Sequence, residues 1–329
     1  MKYLISILFI FILSGIFLFA QYGPFGGGDG TKNNPYQIYN HAQLMALADS
    51  VLFGKSSATY VNWSRGKYFI LMNSISSVTR PIGHDSPILY MNGKYFAGQS
   101  RFFQGSFDGQ GHTITLAFNL NLPPPDDIIT EYYLWYVPCY GNCGLFPEVR
   151  GNAEIKNLIV NGYIRTNHNT TTSGTICGIV GTYTSDLFSD NTYASQKFIM
   201  KNCISMVNIY AEHRTISTST PGIRPSAGII KINYLRDIDT VLIEDCINMG
   251  NIESVPPSTG HIYHAAGIAA FVSDKYNNRV IINRCINVGY IKGDVAGGIT
   301  VGNNNNIDIR NCVNIGIIEG TSQSGAIKP

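Results

Sequence analysis

Charge is scarce in this chain. Only 13% of the 329 residues are Asp, Glu, Lys or Arg, and the formal net charge is +2. No basic patch stands out, so nucleic acid and acidic polymers are not expected as partners. There is no Cys-x-x-Cys and no clustered Cys/His spacing, and no metal ligand set is expected. Gly-x-Ser-x-Gly, a phosphate-binding Gly-Lys loop and His-Glu-x-x-His are also missing, and no cofactor is expected. Long apolar runs are missing after the N-terminus, which argues against a later membrane span.

The one apolar run is Leu4 to Phe19, with Lys2 before it and Ala20 after it. A positive start, an apolar stretch and a small residue at the cut predict a signal peptide over residues 1–20, the alternative being an uncleaved anchor. The expected location is therefore export, as a secreted or cell-surface protein. All seven cysteines follow this segment. An odd number leaves at least one thiol free, which fits buried cysteines better than a disulfide framework.

What the chain has in plenty is repetition. Lys201-Asn202-Cys203-Ile204-Ser205-Met206-Val207-Asn208-Ile209 returns as Glu244-Asp245-Cys246-Ile247-Asn248-Met249-Gly250-Asn251-Ile252. It returns again around Cys285 (Asn283 to Ile291) and Cys312 (Arg310 to Ile318). A small-residue Gly-Ile step follows the first three copies, at Ala227-Gly228-Ile229, Ala266-Gly267-Ile268 and Gly297-Gly298-Ile299, and Ser324-Gly325-Ala326-Ile327 follows the last. A unit that cannot bury its apolar face alone must stack on its neighbours. The runs are short and β-branched, which is strand chemistry, and Asn and Gly between them read as turn residues. Cysteine spacings of 43, 39 and 27 residues mean fixed strands joined by variable loops. Stacked parallel strands, with coils ~4.8 Å apart, are the expected result, with Cys203, Cys246, Cys285 and Cys312 as one inward column.

Ahead of the repeats, residues 21–34 read as a flexible lead and Asn33 to Ile38 as the start of a strand. A helix opens at Asn40 or His41, with Leu44, Leu47, Ala48 and Val51 at helical spacing. It is expected to cap the N-terminal end of one domain running from 35 to 329, with the repeats from about 174. Lys67 to Met72, Phe103 to Ile114, Gly144-Leu145-Phe146 and Ile155 to Ile164 read as earlier rungs. The chain ends on Lys328-Pro329 without a polar cap, so end-to-end self-association or a continuation of the chain is expected there.

Gly27-Gly28-Asp29-Gly30-Thr31 with Asn34-Pro35-Tyr36, Gln43-Leu44, Phe107-Asp108-Gly109-Gln110-Gly111-His112-Thr113-Ile114, Gly144-Leu145-Phe146, Ile155-Lys156-Asn157-Leu158 and the Gly-Ile steps together resemble bacterial exported proteins with GLUG repeats. The resemblance covers residues 27 to 329 and departs most at Ser205-Met206-Val207. It implies an all-β fold of the right-handed parallel β-helix type seen in pectate lyases, and a surface or adhesive role. It implies no defined catalytic set.

Candidate chemistry is thin. Asp108 and His112 flank two glycines and read as a turn. Glu244, Asp245, Asp294, Asp308 and Glu319 share no offset and read as solvated. His261 and His264 have no third ligand and read as surface residues. The densest aromatic cluster follows Pro123-Pro124-Pro125, where Tyr132, Tyr133, Trp135 and Tyr136 are the expected ligand-binding residues, rings with polar tips suited to sugars or protein; a cover over the core is the competing reading. A Cys139–Cys143 bridge is allowed. The function expected is non-catalytic binding or adhesion to glycans or to proteins on other cells. Polysaccharide cleavage and a structural stalk stay open as alternatives, since β-helix enzymes often carry no short motif.

Overall fold

The structure, a computed structural model, describes residues 24–54, 62–83, 88–91, 94–97, 101–119, 142–166, 175–185, 195–212, 223–233, 235, 239–255, 262–271, 279–302 and 307–328. Among these the chain is nearly all β, in three parallel sheets and one short antiparallel pair, Ile88–Met91 with Lys94–Ala97. The first sheet takes Tyr36–Ile38, Tyr68–Leu71, Ser106–Asp108, Glu154–Lys156, Lys197–Lys201, Thr240–Glu244, Arg279–Asn283 and Ile307–Arg310, in sequence order. Between these strands the chain passes through a second sheet, whose members include Thr113–Asn119, Ile159–Thr166, Ile204–Glu212, Ile252–Val255, Ile291–Gly297 and Ile318–Gly325. From Val149 onward it also crosses a third, which ends at Thr300–Val301. Each passage returns beside the previous one, so every backbone group of an inner strand finds its partner one coil away.

Inward residues alternate along each strand. In Thr240–Glu244, Val241 and Ile243 are buried, and in Arg279–Asn283 Val280 and Ile282 are. The repeated cysteine does not sit on a strand; it lies at the corner between the first and second sheets. The residue before the corner position takes a left-handed conformation in five successive coils: Asn157, Asn202, Asp245, Arg284 and Asn311, with φ from 51° to 54°. That residue shifts the alternation by one and turns the next side chain inward. Leu158, Cys203, Cys246 and Cys285 are buried as one column, while Cys312, in the last coil, is only partly buried. Asn and Asp tolerate this conformation; Arg284 is the costlier choice, and its guanidinium holds Asp245 through two hydrogen bonds of 2.6 and 2.9 Å.

The asparagines that read as turn residues are interior instead. Asn248 and Asn287 are fully buried. Asn248 Nδ2 donates to Asn287 Oδ1 and Asn287 Nδ2 to Asn314 Oδ1, both at 2.7 Å, and each amide also reaches the carbonyl two residues on, Gly250, Gly289 and Gly316, at 3.0 Å. The column fills the space opposite the Gly-Ile step. A Cβ on Gly228 would lie 2.3 Å from Asn248 Oδ1, and one on Gly267 would lie 2.6 Å from Asn287 Oδ1 and 2.1 Å from the Gly298 carbonyl.

The helix forms over His41–Phe53. Asn40 caps it by accepting from Gln43 N at 3.0 Å, and Leu44, Leu47, Ala48 and Val51 enter the main core beside Ile38, Leu71 and Val78.

Candidate ligand-binding face

The outward residues of the second sheet form three columns. The third residue after each corner position gives Asn161, Met206, Met249, Val288 and Ile315. The fifth gives Tyr163, Asn208, Asn251, Tyr290 and Ile317. The seventh gives Arg165, Tyr210, Glu253, Lys292 and Glu319. Strand register sets them side by side: Tyr163 pairs with Asn208, Arg165 with Tyr210, Tyr210 with Glu253, Glu253 with Lys292, and Lys292 with Glu319. Among the described residues, most of the large exposed apolar groups lie on this one face, including Tyr163 (39% exposed), Tyr210 (40%) and Met249 (48%). A groove lined by Asn161, Tyr163, Arg165, Asn208, Tyr210 and Glu253 runs over its earlier coils.

Hydrogen bonds fix the polar groups of the central column. Asn208 Oδ1 accepts from the backbone N of Asn251, and Asn251 Oδ1 from the backbone N of Tyr290, both at 3.1 Å. Only an oxygen can accept these bonds, so each amide orientation is determined and each Nδ2 is left as a donor. The Arg165 guanidinium lies 5.6 Å from the Tyr163 ring centre. At the far end Glu319 takes hydrogen bonds from the Tyr290 hydroxyl and from Lys292 Nζ, the latter at 2.9 Å. These hold the Glu319 carboxyl below its usual range, the tyrosine being the larger cause.

Elsewhere the residues singled out from sequence fall into place as scaffold. Asp108 Oδ1 accepts from Gln110 N and from Asn157 Nδ2, both at 3.0 Å, and His112 N closes the turn onto Gly109 O at 2.8 Å. Glu244 and Asp245 lie in an ion-pair network with Lys201 and Arg284, and Asp308 pairs with Arg310. Asp294 accepts from Tyr263 N at 3.0 Å and from the Thr321 hydroxyl at 2.7 Å. His264 is a correction: it is 7% exposed, not a surface residue, because both faces of its strand, Ile262–Ala266, are covered, with Tyr263, Ala265 and Ala266 buried beside it. Burial lowers its pKa, with Asp294 opposing. His261, Cys139, Tyr132, Tyr133, Trp135 and Tyr136 lie outside the described residues. Cys143 is disulfide-bonded. Among the described residues no group of three or more His, Cys, Asp or Glu is placed to hold a metal ion, and no helix is long and apolar enough to cross a membrane.

Sequence reasoning passed over Tyr163, Asn208, Tyr210 and Asn251. The signal was present as a fixed offset: each stands five or seven residues after Leu158, Cys203 or Cys246.

No family model matches the chain, and no curated protein matches it. Among solved structures, one described as a "putative immunoglobulin A1 protease" from Bacteroides ovatus is similar at 14% identity and a TM-score of 0.44, over 92% of this chain and 88% of that one.

Proposed function

We propose that this chain is an exported or cell-surface binding protein of the GLUG-repeat kind. In this reading it is a right-handed parallel β-helix whose N-terminal helix caps the coil stack, and the outer face of its second sheet binds a glycan without cleaving it. The observation that carries the reading is the face itself. Exposed tyrosine rings and fixed amide donors stand in register on strands that cannot move independently, and rigid anchors lose little entropy on binding. Hydrolysis of a glycosidic bond requires a carboxylic acid with a raised pKa beside a second carboxylate. On this face Glu319 is held low by Tyr290 and Lys292, the reverse of what a general acid needs.

A glycan array probed with the intact protein and with Tyr163→Ala/Tyr210→Ala tests the reading. Binding to at least one glycan is expected for the native protein, with the double variant losing most of it at an unchanged melting temperature. An array with no bound glycan, or equal binding by both proteins, contradicts it.

A further inference from the structure

The column Tyr163, Asn208, Asn251, Tyr290 carries more than a general affinity for sugars. Its members stand in four successive coils, Tyr163 and Asn208 within strands and Asn251 and Tyr290 just before Ile252–Val255 and Ile291–Gly297, so its length is three coil steps, about 14 Å, set by the strand spacing. Like groups repeat across the strands and not along them. A ligand that meets them in turn must therefore lie parallel to the stacking axis. A tyrosine stands at each end of the column and two amides occupy its middle, and both amide oxygens are already taken by backbone N–H groups. Among the described residues neither Nδ2 has a protein partner. The middle of the column thus offers donors and asks for acceptors.

The neighbouring column sets the charge. Arg165, Glu253, Lys292 and Glu319 alternate in sign along the same axis and cancel, with Lys292 and Glu319 paired directly at 2.9 Å. A polyanion laid here meets Glu253 and Glu319, and a polycation meets Arg165 and Lys292. On the opposite side Met206, Met249 and Val288 offer an apolar wall, which favours the C–H face of an unsubstituted ring.

We infer, resting on the glycan reading above, that the ligand is a linear, uncharged oligosaccharide lying across the strands, its hydroxyl or acetamido oxygens accepting from Asn208 and Asn251.

Calorimetric titration with chitohexaose, cellohexaose, xylohexaose and mannohexaose, set against hexagalacturonate and a heparin hexasaccharide, tests this. The discriminating variant is Asn208→Asp/Asn251→Asp. Asp keeps the oxygen that each backbone N–H needs, so the fold stays, but it removes both donors. At least one neutral hexaose should bind, its affinity dropping about tenfold or more in the double Asp variant, the scale of a lost hydrogen bond. The corresponding disaccharide, too short for the column, should bind more weakly still. Tighter binding of hexagalacturonate or heparin, or a neutral hexaose indifferent to the Asp variant, overturns the inference while leaving glycan binding intact. No binding of any probe, together with a blank array, overturns both.

Discussion

At the corner of each coil a left-handed residue turns the following side chain inward, and that side chain is a cysteine in four successive copies. A thiol is small enough to stack on its own image one coil away and apolar enough to be buried. Cys246 lies within hydrogen-bond reach of Cys203 and Cys285, and burial pushes its thiol well above the usual value. Cys177, in a separate small cluster with Ala227 and Ala266, is pushed up to about 12 by burial. Raised pKa and burial together make these thiols slow nucleophiles. In the native protein a thiol reagent such as DTNB should react at Cys312 first, because it alone of the five is partly exposed, although Cys285 beside it raises its thiol too. Cys177, Cys203, Cys246 and Cys285 should react only on unfolding, and fast labelling of two or more of them contradicts the register. Cys246→Asp should cost about 3 kcal/mol or more, as an unpaired buried charge does.

At the scale of the element, the Asn-x-Gly of the second sheet and the Gly-Ile step beyond it are one device. Asn287 needs the room that Gly267 leaves, and its amide satisfies the Gly289 carbonyl, Asn248 and Asn314 at once. The coil with Ser205 and Val207 lacks both the Asn and the Gly, and Ser205 sits against Gly178 instead. Among the described residues, Ser205 Oγ and Asn248 Oδ1, the two ends that meet there, have no hydrogen-bond partner. Two predictions of size follow. Gly267→Ala forces a methyl against the Gly298 carbonyl and should cost about 2 kcal/mol or more. Asn287→Ala, which takes a partner from the Gly289 carbonyl, Asn248 Nδ2 and Asn314 Oδ1, should cost a similar amount. Their double-mutant cycle, read from chemical denaturation, should show coupling well beyond experimental error, and strict additivity contradicts the lock. The repeat and its strand chemistry were legible in the sequence because side-chain period and β-branching are local properties. The inward turn of Asn248 was not, because it depends on the space left by Gly228, in the bend after Ile223–Ala227 of the preceding coil. His264 was misread for the same reason: what covers the second face of its strand is not written in the local sequence.

At the scale of the whole molecule, stacking converts a sequence offset into a surface column. Residues five and seven positions after each corner become neighbours across coils that are 27 to 45 residues apart in the chain. The outer face of the second sheet is thus assembled from distant segments, and no short motif announces it. Core positions are legible because every coil needs them filled. The face is legible only once the register is known, and its departure from Tyr163 and Asn208 to the apolar Ile315 and Ile317 in the last described coil shows how freely the outward positions vary. The central claim is that this face holds a glycan and does no chemistry on it. Mass spectrometry of the glycan eluted from the immobilised protein, after prolonged contact, tests that claim most directly. The account predicts a ligand of unchanged mass and chain length; shortened or unsaturated products contradict it.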